Sequence, residues 1–344
     1  MMRYTNEFLD TQRQATDPQA EALVRAALAQ DPKGFWRFLT DWESESIPEA
    51  FTDLVTEHCP GYAAPPAGMS AEEITRSELF FEQYSEAIFL LLGAYSLPYC
   101  YAAEAGVQVL YQTQRLSKEP LKRLQETGLF VFNILETNSF SNGKAWLSIL
   151  RVRLMHAAVR VKVWESGRWD TARWGQPINQ EDLAGTLFAF SLIVILGLRK
   201  LGYRISAKEA MVYFRRWHLI GERLGVAPEM RPDAPTAAFA LAKRIEKRHL
   251  RPSQAGKSLN DALIHETEKS TEGQLPRGFV PALMRYLLGQ PIARCLGLPE
   301  SGWADPLIQL NLLRQRHLVL PTRPTPTEVH TTYRATKARL LAIA

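Results

Sequence analysis

A chain of 344 residues with 46% hydrophobic and 22% charged side chains can bury a large core, and it is too apolar to be disordered. The net charge is +5, but the 41 basic residues are spread among 36 acidic ones. No basic block is interleaved with aromatics, which argues against a nucleic-acid partner. Three cysteines, Cys59, Cys100 and Cys295, are odd in number and far apart, excluding a disulfide framework and a cysteine-based zinc site.

The opening residues, Met-Met-Arg-Tyr-Thr-Asn-Glu-Phe, hold no apolar run of the kind a secretory signal needs, so the expected location is cytoplasmic. Asp17-Pro18 opens an Ala/Leu-rich helix, with Asp as N-cap and Pro at the first helical position. The aromatic-rich stretch to Glu57 predicts two more short helices. Cys59 to Met69, with three prolines and two glycines, is a loop. It divides an N-terminal helical appendage, residues 1–65, from a main domain over residues 66–344. Ser70-Ala-Glu-Glu73 has capping-box spacing before an apolar helix that reaches about Gly93. Leu97 to Leu116 and Lys118 to Glu136 predict two more helices.

After the break at Ser141-Asn-Gly-Lys144, a central helix is expected from Ala145 to Val163, then a polar loop from Glu165 to Pro177. Asn179 with Asp182 caps a buried helix running to Leu201-Gly202. Its longest apolar run, Leu183 to Leu198, is 16 residues, short for a membrane span. Ser206 with Glu209 forms a second capping box, on a helix ending near Gly225. Further helices are expected at about 233–250, 258–270, 274–289, 301–316 and 326–342. Val161-Lys-Val-Trp164 is the one piece with some strand character. The expected fold is all-α, one multi-helix domain with globin-like packing.

Several chemistries fall away. Ala255-Gly-Lys-Ser258 resembles the end of a phosphate-binding loop, but position 251 is Arg where the upstream Gly belongs. Glu246-Lys-Arg-His249 has the spacing of a di-iron carboxylate bundle but no second copy, so a solvated helix face is expected there. His-Glu-x-x-His and Gly-x-Ser-x-Gly are absent, and Asp53, Glu57 and His58 have the spacing of an ordinary polar face.

The informative segment is Arg151-Val-Arg-Leu-Met-His156-Ala-Ala-Val-Arg160. Arg153 lies three residues before His156 and Arg160 four after it, which puts all three on one helix face. Such a face, among Leu, Met, Ala and Val, suits an imidazole that ligates a haem iron, with the arginines meeting the two propionates. A single His on an apolar helix is also commonly a hydrogen-bonded core residue, so spacing alone leaves both readings open. Arg123 and Thr127 share another helix face. Thr186 sits in the apolar Leu183 helix, where a threonine usually bonds back to its own helix.

Taken together, Arg123-x-x-x-Thr127, Arg153-Leu-Met-His156-Ala-x-Val-Arg160, Gly175-Gln-Pro-Ile-Asn-Gln-Glu-Asp-Leu-x-x-Thr186 and Phe190-Ser191 resemble the latex-clearing protein (rubber oxygenase) and mpaB oxygenase family over about residues 75–290. Tyr213-x-x-x-Trp217 and Gly221-x-x-Leu-Gly225 continue the resemblance. It implies an all-α oxygenase holding a b-type haem through His156. Arg123, Thr127 and Thr186 would line the haem cavity, with Arg153 and Arg160 near the propionates. Phe130, Phe132, Phe188 and Phe190 are candidates for cavity walls, each equally at home in ordinary core packing. Some relatives carry a lysine before the threonine of Arg-x-x-x-Thr as a distal iron ligand. Glu126 stands there in this chain, which predicts a vacant or water-bound distal position. The implied partners are O2 and an apolar alkene or isoprenoid smaller than a polymer. A peroxidase-like haem protein and a non-enzymatic lipid- or isoprenoid-binding protein are the alternatives.

Overall fold

Helix-start signals in the sequence are used as such in the structure. Asp17, Asp31, Ser70, Asn179, Ser206 and Ser253 each cap a helix with the side chain accepting from a backbone N–H, and Ser70/Glu73 and Ser206/Glu209 form complete capping boxes. The computed structural model describes residues 4–42, 44–62, 68–112, 120–271, 275–313 and 326–342. In chain order the α-helices are α1 (Asn6–Gln14), α2 (Pro18–Gln30), α3 (Pro32–Thr40), α4 (Glu49–His58), α5 (Ala71–Leu91), α6 (Leu97–Tyr101), α7 (Gly106–Gln112) and α8 (Pro120–Leu135). Then come α9 (Lys144–Glu165), α10 (Thr171–Trp174), α11 (Gln180–Phe190), α12 (Leu192–Lys200), α13 (Ala207–Arg223) and α14 (Pro235–His249). The last are α15 (Gln254–Ser270), α16 (Phe279–Leu288), α17 (Gln290–Cys295), α18 (Asp305–Leu313) and α19 (Pro326–Ala342). No strand occurs among the described residues, only one isolated bridge between Ala103 and Leu250, so the fold is all-α.

Three expectations need correction. Val161–Trp164 is the last part of α9 and not extended, because Val161 and Val163 continue that helix's buried surface. The stretch from Leu97 onward is two short helices, and the part over 113–119 lies outside the described residues. The buried helix after Asn179 is interrupted at Ser191. There the Ser191 hydroxyl bonds back to the Leu187 carbonyl at 2.8 Å, and Tyr213 donates to the Phe190 carbonyl at 3.0 Å. The Leu187 carbonyl also accepts the Ser191 N–H at 3.1 Å, whereas at the break itself the Phe190 carbonyl has its donor in Tyr213 and the Ala189 carbonyl has one in the Ser96 hydroxyl at 2.7 Å. Gln180–Lys200 as a whole is apolar and long enough to cross a membrane by composition, with a mean hydropathy of 1.8, but 67% of its most apolar stretch is buried inside the fold.

Helix α9 runs between two apolar clusters. One of its faces (Leu147, Leu150, Leu154, Ala157, Ala158 and Val161) packs with Leu23, Val24, Phe35, Phe38, Phe51 and Val55 from α2 to α4. Each fully buried Leu, Val or Phe contributes roughly 1.5–3 kcal/mol to that contact. Ala145, Trp146 and Ile149, near its start, join the larger cluster built by α5 to α8 and α11 to α16. The remaining side of α9 faces a cavity.

Candidate active site

The cavity has a volume of about 1020 Å3 and is lined mainly by apolar groups. Met155, His156 and Val159 of α9 form one wall, and Leu183, Thr186 and Phe190 of α11 form another. Thr127 reaches it from α8, Tyr99 and Cys100 from α6, and Ile245, Glu246 and His249 from α14. His156, Thr127 and Thr186, widely separated in sequence, are therefore brought to one space. The main chain of Arg123 belongs to α8, one turn before Thr127, while its side chain lies outside the described residues. Glu126, beside Thr127, is not among the lining residues.

Thr186 is exposed although its helix is otherwise packed in the core, and that exposure is to the cavity. It stands on the cavity wall with the Cys100 thiol as a neighbour. Burial pushes that thiol up to about 12, which keeps it protonated and unreactive near neutral pH. Of the four phenylalanines considered as walls, only Phe190 lines the cavity. Phe130, Phe132 and Phe188 are core residues, with Phe132 stacked on Phe89 at 4.8 Å and 14°.

Arg153 and Arg160 are placed differently from expectation. Neither lines the cavity, because both turn toward α2. Arg153 forms a two-pronged pair with Asp17, Nε to Oδ2 at 2.6 Å and Nη2 to Oδ1 at 2.9 Å. Arg160 donates to Glu21 at 2.8 Å and to the carbonyls of Pro177 and Ile178 at 2.9 and 2.7 Å. The anionic partners that buried arginines require were in the N-terminal helices, where sequence spacing could not show them.

Glu246 and His249, expected on a solvated face, line the cavity. Tyr99 donates to Glu246 at 3.2 Å, and burial beside that carboxylate raises the phenol well above its ordinary value. His249 lies 2.9 Å from Glu181, whose fully buried carboxylate also binds Arg248 at 2.9 Å. Asp182, on the cavity wall, accepts from the Asn179 amide at 2.9 Å, and burial pushes its carboxyl up to about 6 despite Arg13 and His249 nearby. The Pro177–Asp182 motif thus fastens the chain's beginning. The Gln180 side chain donates to the Thr16 carbonyl at 2.8 Å and the Gly225 carbonyl at 3.0 Å, and its main-chain N–H donates to the Ala15 carbonyl at 3.0 Å. Gly256, in the sequence that resembles a phosphate loop, serves close packing: a Cβ there would collide with the Tyr101 carbonyl.

A mostly apolar cavity inside an all-α body, with His156 and His249 on its walls and the hydroxyls of Thr127 and Thr186 among its polar groups, is a small-molecule site suited to a flat cofactor or an apolar ligand. The family model described as the ER-bound oxygenase mpaB/B'/rubber oxygenase catalytic domain matches residues 83–319. The chain belongs to that family. It is 26% identical over 189 residues to the rubber oxygenase of Streptomyces sp. (strain K30), a match covering 54% of this chain and 46%, about half, of the relative. Its fold is that of latex clearing protein LCP in the closed state, with a TM-score of 0.78 and 19% identity, over 96% of this chain and 91% of that one.

Proposed function

We propose that this protein is a haem b-dependent oxygenase that uses O2 on an apolar unsaturated compound, with His156 as the protein's iron ligand. The observation that carries the reading is the meeting of His156, Thr127 and Thr186 on one cavity of about 1020 Å3. The donor set fits the cofactor. No group of three or more His, Cys, Asp or Glu among the described residues could hold a metal ion unaided, whereas an iron porphyrin brings four nitrogens of its own and would need one imidazole from the chain, which His156 would supply. Bound haem supplies the oxygen chemistry. The chain's own part is to hold and orient. His156 anchors the cofactor to a helix fixed on both flanks, and Leu183, Phe190 and Ile245 keep water away from an apolar substrate. The hydroxyls of Thr127 and Thr186 offer hydrogen bonds to polar atoms in an otherwise apolar space, and Arg123 belongs to the same helix face as Thr127.

The rubber oxygenase relative supports an alkene or isoprenoid as the substrate class. The test is the visible spectrum of purified protein and of His156→Ala, with pyridine haemochrome to identify the porphyrin. The reading expects a Soret band that is lost or strongly altered in the variant. A haem-supplemented protein that stays colourless, or a variant with an unchanged spectrum, overturns it. Carbonyl products carrying label from 18O2 distinguish oxygenation from peroxide reduction.

A further inference from the structure

We infer that the two propionates of the cofactor are met by Lys162 and Arg168 at the rim of the cavity, in place of the two arginines that flank His156. The inference rests on the haem reading above and concerns which residues of this chain hold the charged edge. Haem is an apolar disc with two carboxylates on one edge, and burying those carboxylates without partners costs several kcal/mol each. That edge therefore belongs at the exposed end of the site. Deep in the cavity the walls are Leu183, Phe190 and Ile245, all under 10% exposed. At the other extreme Lys162, Glu165, Ser166 and Arg168, all exposed, form the last turn of α9 and the loop after it.

Met155, Val159, Lys162 and Ser166 follow a four, three, four spacing, so one stripe of α9 runs from beside His156 out to the rim. Lys162 lies six residues beyond His156, about 9 Å along the helix axis. Its ammonium sits 5.9 Å from the ring centroid of Trp36, which holds it at the mouth by a cation–π contact. Charge availability separates this pair from the alternative. Among the described residues neither Lys162 nor Arg168 takes part in an ion pair, while Arg153 and Arg160 are already neutralised by Asp17 and Glu21. His249, further along the cavity wall, and its neighbour Arg248, which does not line the cavity, are committed to Glu181. Glu165 is the one carboxylate on the rim segment, so the cations prevail there by one charge.

The experiment is a Soret titration of the full chain, produced without haem supplementation, with haem and with haem dimethyl ester, which lacks the propionate charges. Two exposed charge pairs predict that the wild type binds haem roughly tenfold tighter than the ester. Lys162→Met/Arg168→Gln loses that preference, and Lys162→Glu/Arg168→Glu reverses it, while thermal melting of each stays close to the wild type. Equal affinity for haem and ester in the wild type, or an undiminished preference in the double variant, overturns the assignment while leaving haem binding intact. Absence of a Soret-active complex with either porphyrin, or an unchanged complex in His156→Ala, overturns the haem reading itself and this inference with it.

Discussion

Arg160→Met separates a structural arginine from a cofactor-binding one. The Arg160 side chain is 1% exposed and its partner Glu21 is 13% exposed. Burial lowers the pKa of the guanidinium, with Glu21 the largest opposing influence. Removing it leaves one nearly buried carboxylate and the carbonyls of Pro177 and Ile178 without their donors. Breaking a buried pair from one side costs about 3–5 kcal/mol. Methionine regains roughly 1 kcal/mol of apolar burial, so the net loss is about 2–4 kcal/mol. Guanidinium chloride unfolding followed by circular dichroism reads this as a lower midpoint at constant slope. Adding Glu21→Gln recovers part of the loss, since the stranded charge is then gone. The Soret position of the haem-loaded variant stays that of the wild type, because Arg160 does not line the cavity. A stability loss below about 1 kcal/mol, or a shifted Soret band at unchanged stability, would refute this assignment.

Two further outcomes follow from local geometry. Gly225 has φ +82°, and a Cβ there would strike the Asp17 carboxylate and come within 3.1 Å of Arg153 Nε. Gly225→Ala therefore costs about 1–2 kcal/mol for the backbone alone, plus the weakened Asp17–Arg153 pair, and an unchanged melting temperature would contradict it. Asp182 titrates near 6 in the fold against an ordinary 3.8. Between those values the folded chain holds more protons than the unfolded one, so this carboxyl lowers stability as pH rises through that window. Asp182→Asn removes the penalty: its stability relative to wild type should climb from pH 3.8 to 6 and then level off. A difference independent of pH would count against a raised Asp182.

The helix starts were readable because each rests on a local signal, a side-chain oxygen three residues ahead of a backbone N–H, as at Asp17, Ser70, Asn179 and Ser206. The break at Ser191 was not readable, since the Tyr213 hydroxyl that accommodates it comes from a distant helix. The meeting of His156, Thr127 and Thr186 was suggested by the family resemblance and not by spacing. Spacing alone misled at Arg153 and Arg160: sharing a face with His156 on paper does not decide whether a side chain turns to the cavity or to α2, some 40–60° around the helix. Glu246 and His249 were taken for a solvated face because nothing local reveals that Glu181 and Tyr99 stand opposite them. Their one sequence signal was Glu-x-x-His spacing, read for a di-iron site and then set aside.

Ile178 gives the N-terminal helices a hold on the cavity. It is a β-branched residue at φ 52°, where such side chains are strained by roughly 1–2 kcal/mol, and it lines the cavity wall. Arg160 grips its carbonyl, and the same guanidinium is paired with Glu21 of α2. The wall and the N-terminal segment therefore share one free-energy balance. A ligand that favours this wall conformation must, by reciprocity, protect α2 from hydrogen exchange by the same factor that an intact α2 raises the ligand's affinity. Occupancy of the cavity should thus be measurable at amides of α2 that never touch the ligand.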